Sequence, residues 1–258
     1  MPPLLRVDGL GLSFGGLIAI HQLSFSLGRG ELLAIVGPNG AGKTALLNCI
    51  NGVHRATAGS IHFCERDITD TPLREMASLG ISRAFQHIEL FSHLTVVENI
   101  LLGRHCRMQT GILSNMIYWK STRQEEIRER ERAEEIIEYF ELNHFRDTLI
   151  GNLPYGIQKL VGVARAISSE PKLLLLDEPS TGLVREEKEH LARFLLRLRN
   201  DQAPGIIWIE HDMQMVADLA DRVIVLSYGQ KIAEGSPQEI RCNPEVIKSY
   251  LGSGLSSK

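Results

Sequence analysis

The stretch Gly37-Pro38-Asn39-Gly40-Ala41-Gly42-Lys43-Thr44 constrains this chain more than any other. It matches G-x-x-x-x-G-K-[ST] at every required position, a pattern that works only where a strand hands over to a helix. Both flanks comply. Leu32–Val36 is a short apolar run that reads as a buried strand, and Ala45-Leu46-Leu47-Asn48-Cys49-Ile50 reads as a helix start. Glycines at 37, 40 and 42 let backbone N–H groups curl round a triphosphate without Cβ clashes. The helix that follows points its positive end at the same anion. Lys43 reaches the β- and γ-phosphates, and Thr44 offers a hydroxyl to Mg²⁺.

A chain of 258 residues has length for a substantial core in one or two domains. Its formal net charge of -3 argues against a dedicated nucleic-acid binder, which carries a basic excess. Cys49, Cys64, Cys106 and Cys242 lie far apart and form no C-x-x-C pair. They read as reduced thiols of a cytosolic protein rather than as a zinc site or disulfide framework. No apolar run is long enough to span a bilayer, and no signal peptide is expected at the start.

Taken in order, residues 4 to 36 look β-rich, with short apolar segments separated by glycines. Phe14 beside Gly15-Gly16 reads equally as an aromatic that stacks on adenine or as core. Thr57-Ala58-Gly59-Ser60 reads as a turn and Ile61–Cys64 as a strand. A helix is expected from Pro72 to Gly80, then a strand Ile81–Phe85 running into Gln86. Residues 87 to 150 become helical in pattern. Lys120–Glu138 offers Glu126–Arg130 and Glu129–Arg132 pairs, with Ile127, Ala133, Ile136, Ile137 and Phe140 as an apolar stripe. Gly111–Trp119 is unusually apolar for a connector and reads as core or as a partner-facing segment.

From Lys172 strands and helices alternate, which implies a largely parallel sheet covered on both faces. Leu173–Leu176 runs into Asp177-Glu178, and Ile206–Ile209 runs into Glu210-His211-Asp212. Ligands of such sheets bind past the carboxyl ends of the strands, so these groups and the phosphate loop should share one crevice. Asp177 there suits Mg²⁺ beside Thr44, and Glu178 suits the polarisation of a water for attack on the γ-phosphate. The tail carries two helix starts, Ser236-Pro237-Gln238-Glu239 and Asn243-Pro244-Glu245, the second leading to a stripe of Val246, Ile247, Tyr250 and Leu251.

The phosphate loop, Gln86, Leu153-Pro154-Tyr155-Gly156-Ile157-Gln158, Leu173–Pro179, Ser180-Thr181-Gly182-Leu183 and His211 occur in the order and spacing of an ABC transporter ATP-binding subunit. The chain most resembles the subunit of branched-chain amino acid importers. Phe85-Gln86-His87, the Gly103–Leu142 insertion and the Asn243–Ile247 ending support the narrower match. The resemblance implies an α/β P-loop NTPase (RecA-like) core with an antiparallel β subdomain and an inserted α-helical subdomain. Residues 1–86 would hold the β subdomain and the phosphate-loop part of the core, and 87–155 the helical subdomain. Residues 156–235 would complete the core, and 236–258 form a helical tail.

The same resemblance implies residue roles. Gln86 would touch Mg²⁺ and the attacking water and sense the membrane subunit. Asp177 would bind Mg²⁺ through water, Glu178 would be the general base, and His211 would contact the γ-phosphate. Two ATP-binding subunits would sandwich two ATPs, each site pairing one chain's phosphate loop with the other's signature turn. Partners would be membrane permease subunits, a second ATP-binding subunit as heterodimer or homodimer, and indirectly an extracellular or periplasmic solute-binding protein. The place of work would be the cytoplasmic face of the membrane.

Two departures stand out. The usual signature is L-S-G-G-Q, but here Pro154 replaces the serine, Tyr155 the first glycine and Ile157 the glutamine. Losing one hydrogen bond to a charged phosphate costs roughly 1.5–3 kcal/mol. Val184-Arg185 stand where these importer subunits tend to have Asn-Pro. These departures predict an asymmetric pair of sites and keep open a nucleotide-gated, weakly hydrolysing subunit. A GTPase is disfavoured because no Asn or Thr here is followed by Lys, as N/T-K-x-D requires. A non-transport ATPase of nucleic-acid type fits poorly with one cassette and an acidic balance.

Overall fold

The computed structural model describes residues 2–84, 90–104 and 119–252. Two sheets organise it. The first is antiparallel and contains β1 (Leu5–Phe14), β2 (Leu17–Leu27), β4 (Ala58–Phe63) and β5 (Arg66–Asp67) in the order β2-β1-β4-β5. The second contains β3 (Leu32–Val36), β6 (Ile81–Ala84), β7 (Leu173–Asp177), β8 (Gly205–Ile209), β9 (Arg222–Ser227) and β10 (Gln230–Gly235) in the order β10-β9-β3-β8-β7-β6. Its five inner and far-edge strands pair in parallel; β10 closes the near edge antiparallel.

The apolar strands divide their residues between two layers, because successive side chains leave a strand on opposite faces. Leu174, Leu176, Ile206 and Trp208 enter a core shared with the helices α3 (Val96–Arg104), α4 (Trp119–Tyr139), α5 (Tyr155–Ser168) and α6 (Arg185–Gln202). Leu173, Leu175, Ile207 and Ile209 enter the other, shared with the antiparallel sheet and with α1 (Lys43–Ile50). The helix of the phosphate loop is thus buried through Leu46, Leu47, Cys49 and Ile50 in the core shared by both sheets. A third cluster packs α7 (Met213–Leu219), α8 (Pro237–Arg241) and α9 (Pro244–Gly252) over Ala34, Val36, Val223 and Val225.

Several expectations are corrected. Thr57–Ser60 is no free turn: Ala58–Ser60 already pair in β4, and Gly59, at φ 81°, would set a Cβ 2.4 Å from the Gly9 carbonyl of β1. Glycine there marks a close strand crossing, not a reversal. α1 begins at Lys43, two residues before the predicted start. β10 and β5 were not foreseen, since neither has a buried apolar face. Along α4, Ala133, Ile137 and Phe140 are buried as expected, but Ile127 is 49% exposed. Glu129 meets Arg104 at 2.5 Å and Arg132 meets Glu135 at 2.6 Å, so the Glu129–Arg132 pair is displaced by a buried cation from α3. Glu126–Arg130 is not among the ion pairs of the described residues.

α2 (Leu73–Leu79) stops at Gly80 in the left-handed conformation, as read. The Ser236 capping box forms: the hydroxyl accepts from Glu239 N, and the Glu239 carboxylate accepts from Ser236 N at 2.7 Å. Asn243 Oδ1 accepts from Glu245 N at 2.9 Å at the start of α9, whose Val246 is buried while Ile247 is exposed. The Tyr250 and Leu251 side chains, residues 111–118 of the apolar connector, and Cys106 lie outside the described residues.

Candidate nucleotide site

The crevice lies past the carboxyl ends of β3, β7 and β8, where parallel strands place their loops. β3 delivers the phosphate loop. A Cβ on Gly37 would sit 2.1 Å from the Leu226 carbonyl of β9, and one on Gly42 would sit 2.5 Å from the Ala19 carbonyl of β2. Gly40 and Gly42 have φ of 80° and 97°, so the loop needs glycine both for conformation and for clearance. Pro38, Asn39 and Ala41 complete the turn, with Ala41 N donating to Pro38 O at 3.1 Å. Lys43 is almost wholly buried and donates to Gly37 O at 2.7 Å and Pro38 O at 3.0 Å. Burial lowers its pKa, against the opposing pull of Glu178 and Asp177.

β7 ends in Asp177, whose carboxylate is almost fully buried. Thr44 Oγ1 approaches its Oδ1 at 3.5 Å. Its other oxygen accepts from Arg83 of β6 at 2.5 Å, and Arg83 also donates to Asn48 Oδ1 of α1 at 2.6 Å. Arg83 and Asp177 side chains are 4% and 2% exposed, so this is a buried ion pair. Next along the chain, Glu178 turns out of the strand at φ 48°, with its N–H on Ile209 O of β8. Its carboxylate meets His211 Nε2 at 2.7 Å and lies 3.4 Å from Thr181 Oγ1.

β8 delivers His211. Glu210, buried behind it, accepts from the backbone N–H of His211 at 2.8 Å and of Asp212 at 3.2 Å. Asp212 caps α7 through Gln214 N and Met215 N and holds Lys188 at 2.9 Å. The Lys188 hydrogen bond is the main reason its carboxyl lies below the usual aspartate range. Lys43, Thr44, Asp177, Glu178 and His211 are therefore brought together as expected.

The remaining predicted residues stand as follows. Phe14 is 47% exposed at the end of β1, edge-on to His54 with ring centroids 5.1 Å apart, so the core alternative for it is excluded. Gln86 lies outside the described residues. Leu153 is buried, Pro154 is the N-cap of α5, Tyr155 is its half-exposed first residue, and Gly156 follows, buried, in the first turn. Ile157 packs against the helical core, and Gln158 Nε2 donates back to Leu153 O at 2.8 Å. Among the described residues no hydrogen bond or ion pair joins residues 153–158 to this chain's own phosphate loop. Tyr155 and Gly156 face the Ser180–Leu183 turn and the start of α6 instead: a Cβ on Gly182 would lie 3.0 Å from the Tyr155 ring, and one on Gly156 would lie 2.0 Å from the Glu187 carboxylate of α6.

This array has the parts for hydrolysing a triphosphate: a buried cation, a hydroxyl beside a buried carboxylate, and a second carboxylate paired with a histidine. A model of the ABC transporter family matches residues 20–181. The chain belongs to the ABC transporter family. A second model, for the branched-chain amino acid ATP-binding cassette transporter, matches residues 230–255. The high-affinity branched-chain amino acid transport ATP-binding protein LivG of Salmonella typhimurium is 39% identical over 250 residues, covering 97% of this chain and 98% of LivG. The corresponding BraF protein of Pseudomonas aeruginosa is 36% identical over the same share of this chain. A crystal structure of the ADP conformation of an ATP-binding cassette superposes with a TM-score of 0.85 at 31% identity, covering 98% of this chain and all of that one. A nucleotide-free cassette gives 0.84 at 30% identity, covering 96% of this chain and 99% of that one. This ABC subunit is an ATPase with the P-loop cassette fold. No helix among its described residues is long and apolar enough to cross a membrane.

Sequence reasoning missed Arg83, Asn48, Glu210 and Lys159 of this ABC site. Arg83 had a signal: a cation inside a four-residue strand flanked by Ile81 and Ala84 needs a buried anion. A cavity of about 580 Å³ lined by Arg104, Tyr139, Lys172 and Gly205 opens at the amino-terminal edge of the core sheet, the end opposite the nucleotide crevice.

Proposed function

We propose that this chain is the ATP-hydrolysing subunit of an importer for branched-chain amino acids or similar small solutes. It would work on the cytoplasmic face of the membrane, against permease subunits supplied by a solute-binding protein. The observation that carries the reading is the assembly of Lys43, Thr44, Asp177, Glu178 and His211 at three neighbouring strand ends. The relatives' names supply the cargo class.

In this reading the Lys43 ammonium exchanges the Gly37 and Pro38 carbonyls for phosphate oxygens, while the loop N–H groups and the α1 terminus hold the rest of the anion. Glu178 takes the proton of the attacking water, a role that contributes roughly 10²–10⁴ in rate. His211 leaves the Glu178 carboxylate to hold the γ-phosphate. Phe14, at the tip of β1, stacks on adenine, and Gln86 reports to the permease. Thr44 Oγ1 and Asp177 Oδ1 are hard oxygen donors at one point, which fits Mg²⁺. Among the described residues no group of three acidic, histidine or cysteine side chains offers a complete cage. Mg²⁺ ordinarily takes only one or two protein oxygens and fills the rest of its shell with phosphate and water. Mg²⁺ would neutralise charge on the phosphates. The cassette divides into 1–86, 87–155, 156–235 and 236–258 as the family pattern implies.

Each site of the dimer pairs this phosphate loop with the partner's signature turn. Pro154 offers neither hydroxyl nor N–H at the head of α5, so the site built on this chain's signature is slower by about one to two powers of ten. The fitting partner is a second, different ATP-binding subunit; a homodimer would carry the defect twice. The test is ATPase turnover of the vesicle-reconstituted transporter with each subunit's glutamate changed in turn. Glu178→Gln should abolish most turnover. If it leaves turnover intact while the partner's change abolishes it, the assignment is reversed. A complex that binds nucleotide but hydrolyses none would favour the weakly hydrolysing reading that Pro154 keeps open.

A further inference from the structure

Lys159 is a lysine where none is needed for a helix surface. It sits one turn into α5 and is only 6% exposed. Its Nζ donates to the backbone carbonyl of Glu178 at 3.3 Å and lies 5.7 Å from the Tyr155 ring centroid. Tyr155 and Lys159 are four residues apart on one helix face, so one side chain touches both the signature turn and the strand end. Burial works against its charge, while Glu210, Glu178 and Asp177 favour it. Glu210 is itself 1% exposed, and its Oε2 has no hydrogen-bond partner among the described residues.

The carbonyl that Lys159 holds belongs to a peptide in an unfavourable conformation. Glu178 is a non-glycine residue at φ 48°, a region that side chains with a Cβ seldom occupy without outside support. The support comes from two sides: Ile209 O accepts the Glu178 N–H at 3.0 Å, and the Glu178 C=O accepts from Thr181 N at 3.2 Å within its own turn and from Lys159 Nζ at 3.3 Å. That conformation turns the Glu178 carboxylate toward His211. We propose that Lys159 is a positioning residue: it clamps the left-handed peptide of Glu178 and ties it to the signature turn, so the element presented to one nucleotide also sets the base at the other. The inference rests on Glu178 being the base of the proposed reaction.

The experiment compares Lys159→Gln and Lys159→Arg with wild type in the vesicle-reconstituted transporter. It measures kcat, KM for Mg-ATP, binding of a fluorescent ATP analogue, and thermal stability. Positioning predicts a kcat loss of about 10²-fold for Lys159→Gln, the cost of a roughly 1 Å misplacement. KM and analogue binding should stay within about twofold, since such a loss falls on the chemical step alone. Lys159→Arg, which keeps a buried donor of the same charge, should recover most of the rate. Adding Lys159→Gln to Glu178→Gln should cost nothing further, because the clamped group is already gone. A Lys159→Gln protein with lowered stability but unchanged kcat would overturn the proposal, as would an equal loss in the Glu178→Gln background. If Glu178→Gln alone leaves turnover unchanged, it is the base assignment that fails.

Discussion

Arg83→Met tests the least visible part of the site. The guanidinium is 4% exposed and spans from the Asp177 carboxylate at 2.5 Å to Asn48 Oδ1 at 2.6 Å, joining β6, β7 and α1. Methionine keeps the volume of the stem and removes the charge. Among the described residues, Asp177, 2% exposed, is then left with Thr44 Oγ1 at 3.5 Å as its hydrogen-bond partner. Breaking a buried pair by removing one partner costs about 3–5 kcal/mol, because the stranded charge has lost its solvent as well as its partner. At about 2–4 °C per kcal/mol for a chain of this size, the midpoint should fall by about 6–20 °C. Urea unfolding of the isolated subunit gives the free energy, and differential scanning fluorimetry gives the midpoint. Asp177→Asn should also destabilise, and the double variant should lose clearly less than the two single losses added together, since neither charge is then stranded. Mg-ADP should restore more stability to Arg83→Met than to wild type, because the cation meets an unpaired carboxylate. A loss below about 1 kcal/mol, the range of solvent-exposed pairs, would refute the reasoning. Strictly additive single losses would do the same.

Gly42→Ala and Gly40→Ala should separate conformation from clearance. Both glycines have positive φ, which costs alanine about 1–2 kcal/mol. Only at Gly42 does the new methyl strike a backbone carbonyl, at 2.5 Å, so Gly42→Ala should lose far more stability and nucleotide affinity, read by unfolding and by analogue titration. The Cys49 thiol, buried in α1, is pushed by burial up to about 11, whereas Cys242 is exposed. At pH 8 a maleimide should therefore modify Cys242 within minutes and spare Cys49 until the protein unfolds, as peptide mass mapping will show. Asp212→Ala should cost about 0.5–2 kcal/mol by removing the cap of α7. Asp212 titrates below its ordinary 3.8 in the folded protein, so its contribution is full above that pH. It is lost as pH falls through the folded value, and wild type and variant should converge in urea midpoint in strong acid.

The parts of the fold that could be read in advance are those where one chemical demand admits few residues. The phosphate loop needs glycine against two carbonyls, and Leu173–Leu176 can only be a strand buried on both faces. Strand ends in a parallel sheet share a side, so Asp177, Glu178 and His211 followed from order alone. What escaped depended on pairings between distant segments. Arg83 and Asp177 are 94 residues apart, and nothing local marks them as partners. β10 carries no buried residue to give it a period; its place is set by its register with Val223–Ser227. Ile127 fits a helical stripe but lies beyond the reach of the core that buries Ile137 and Phe140.

The phosphate loop is pinned at both ends: Gly37 lies against the Leu226 carbonyl of one sheet, and Gly42 against the Ala19 carbonyl of the other. It acts as a rivet through two plates. A slip of one plate against the other would shear the cradle, so the seat of the anion and the seam between the sheets share one set of contacts.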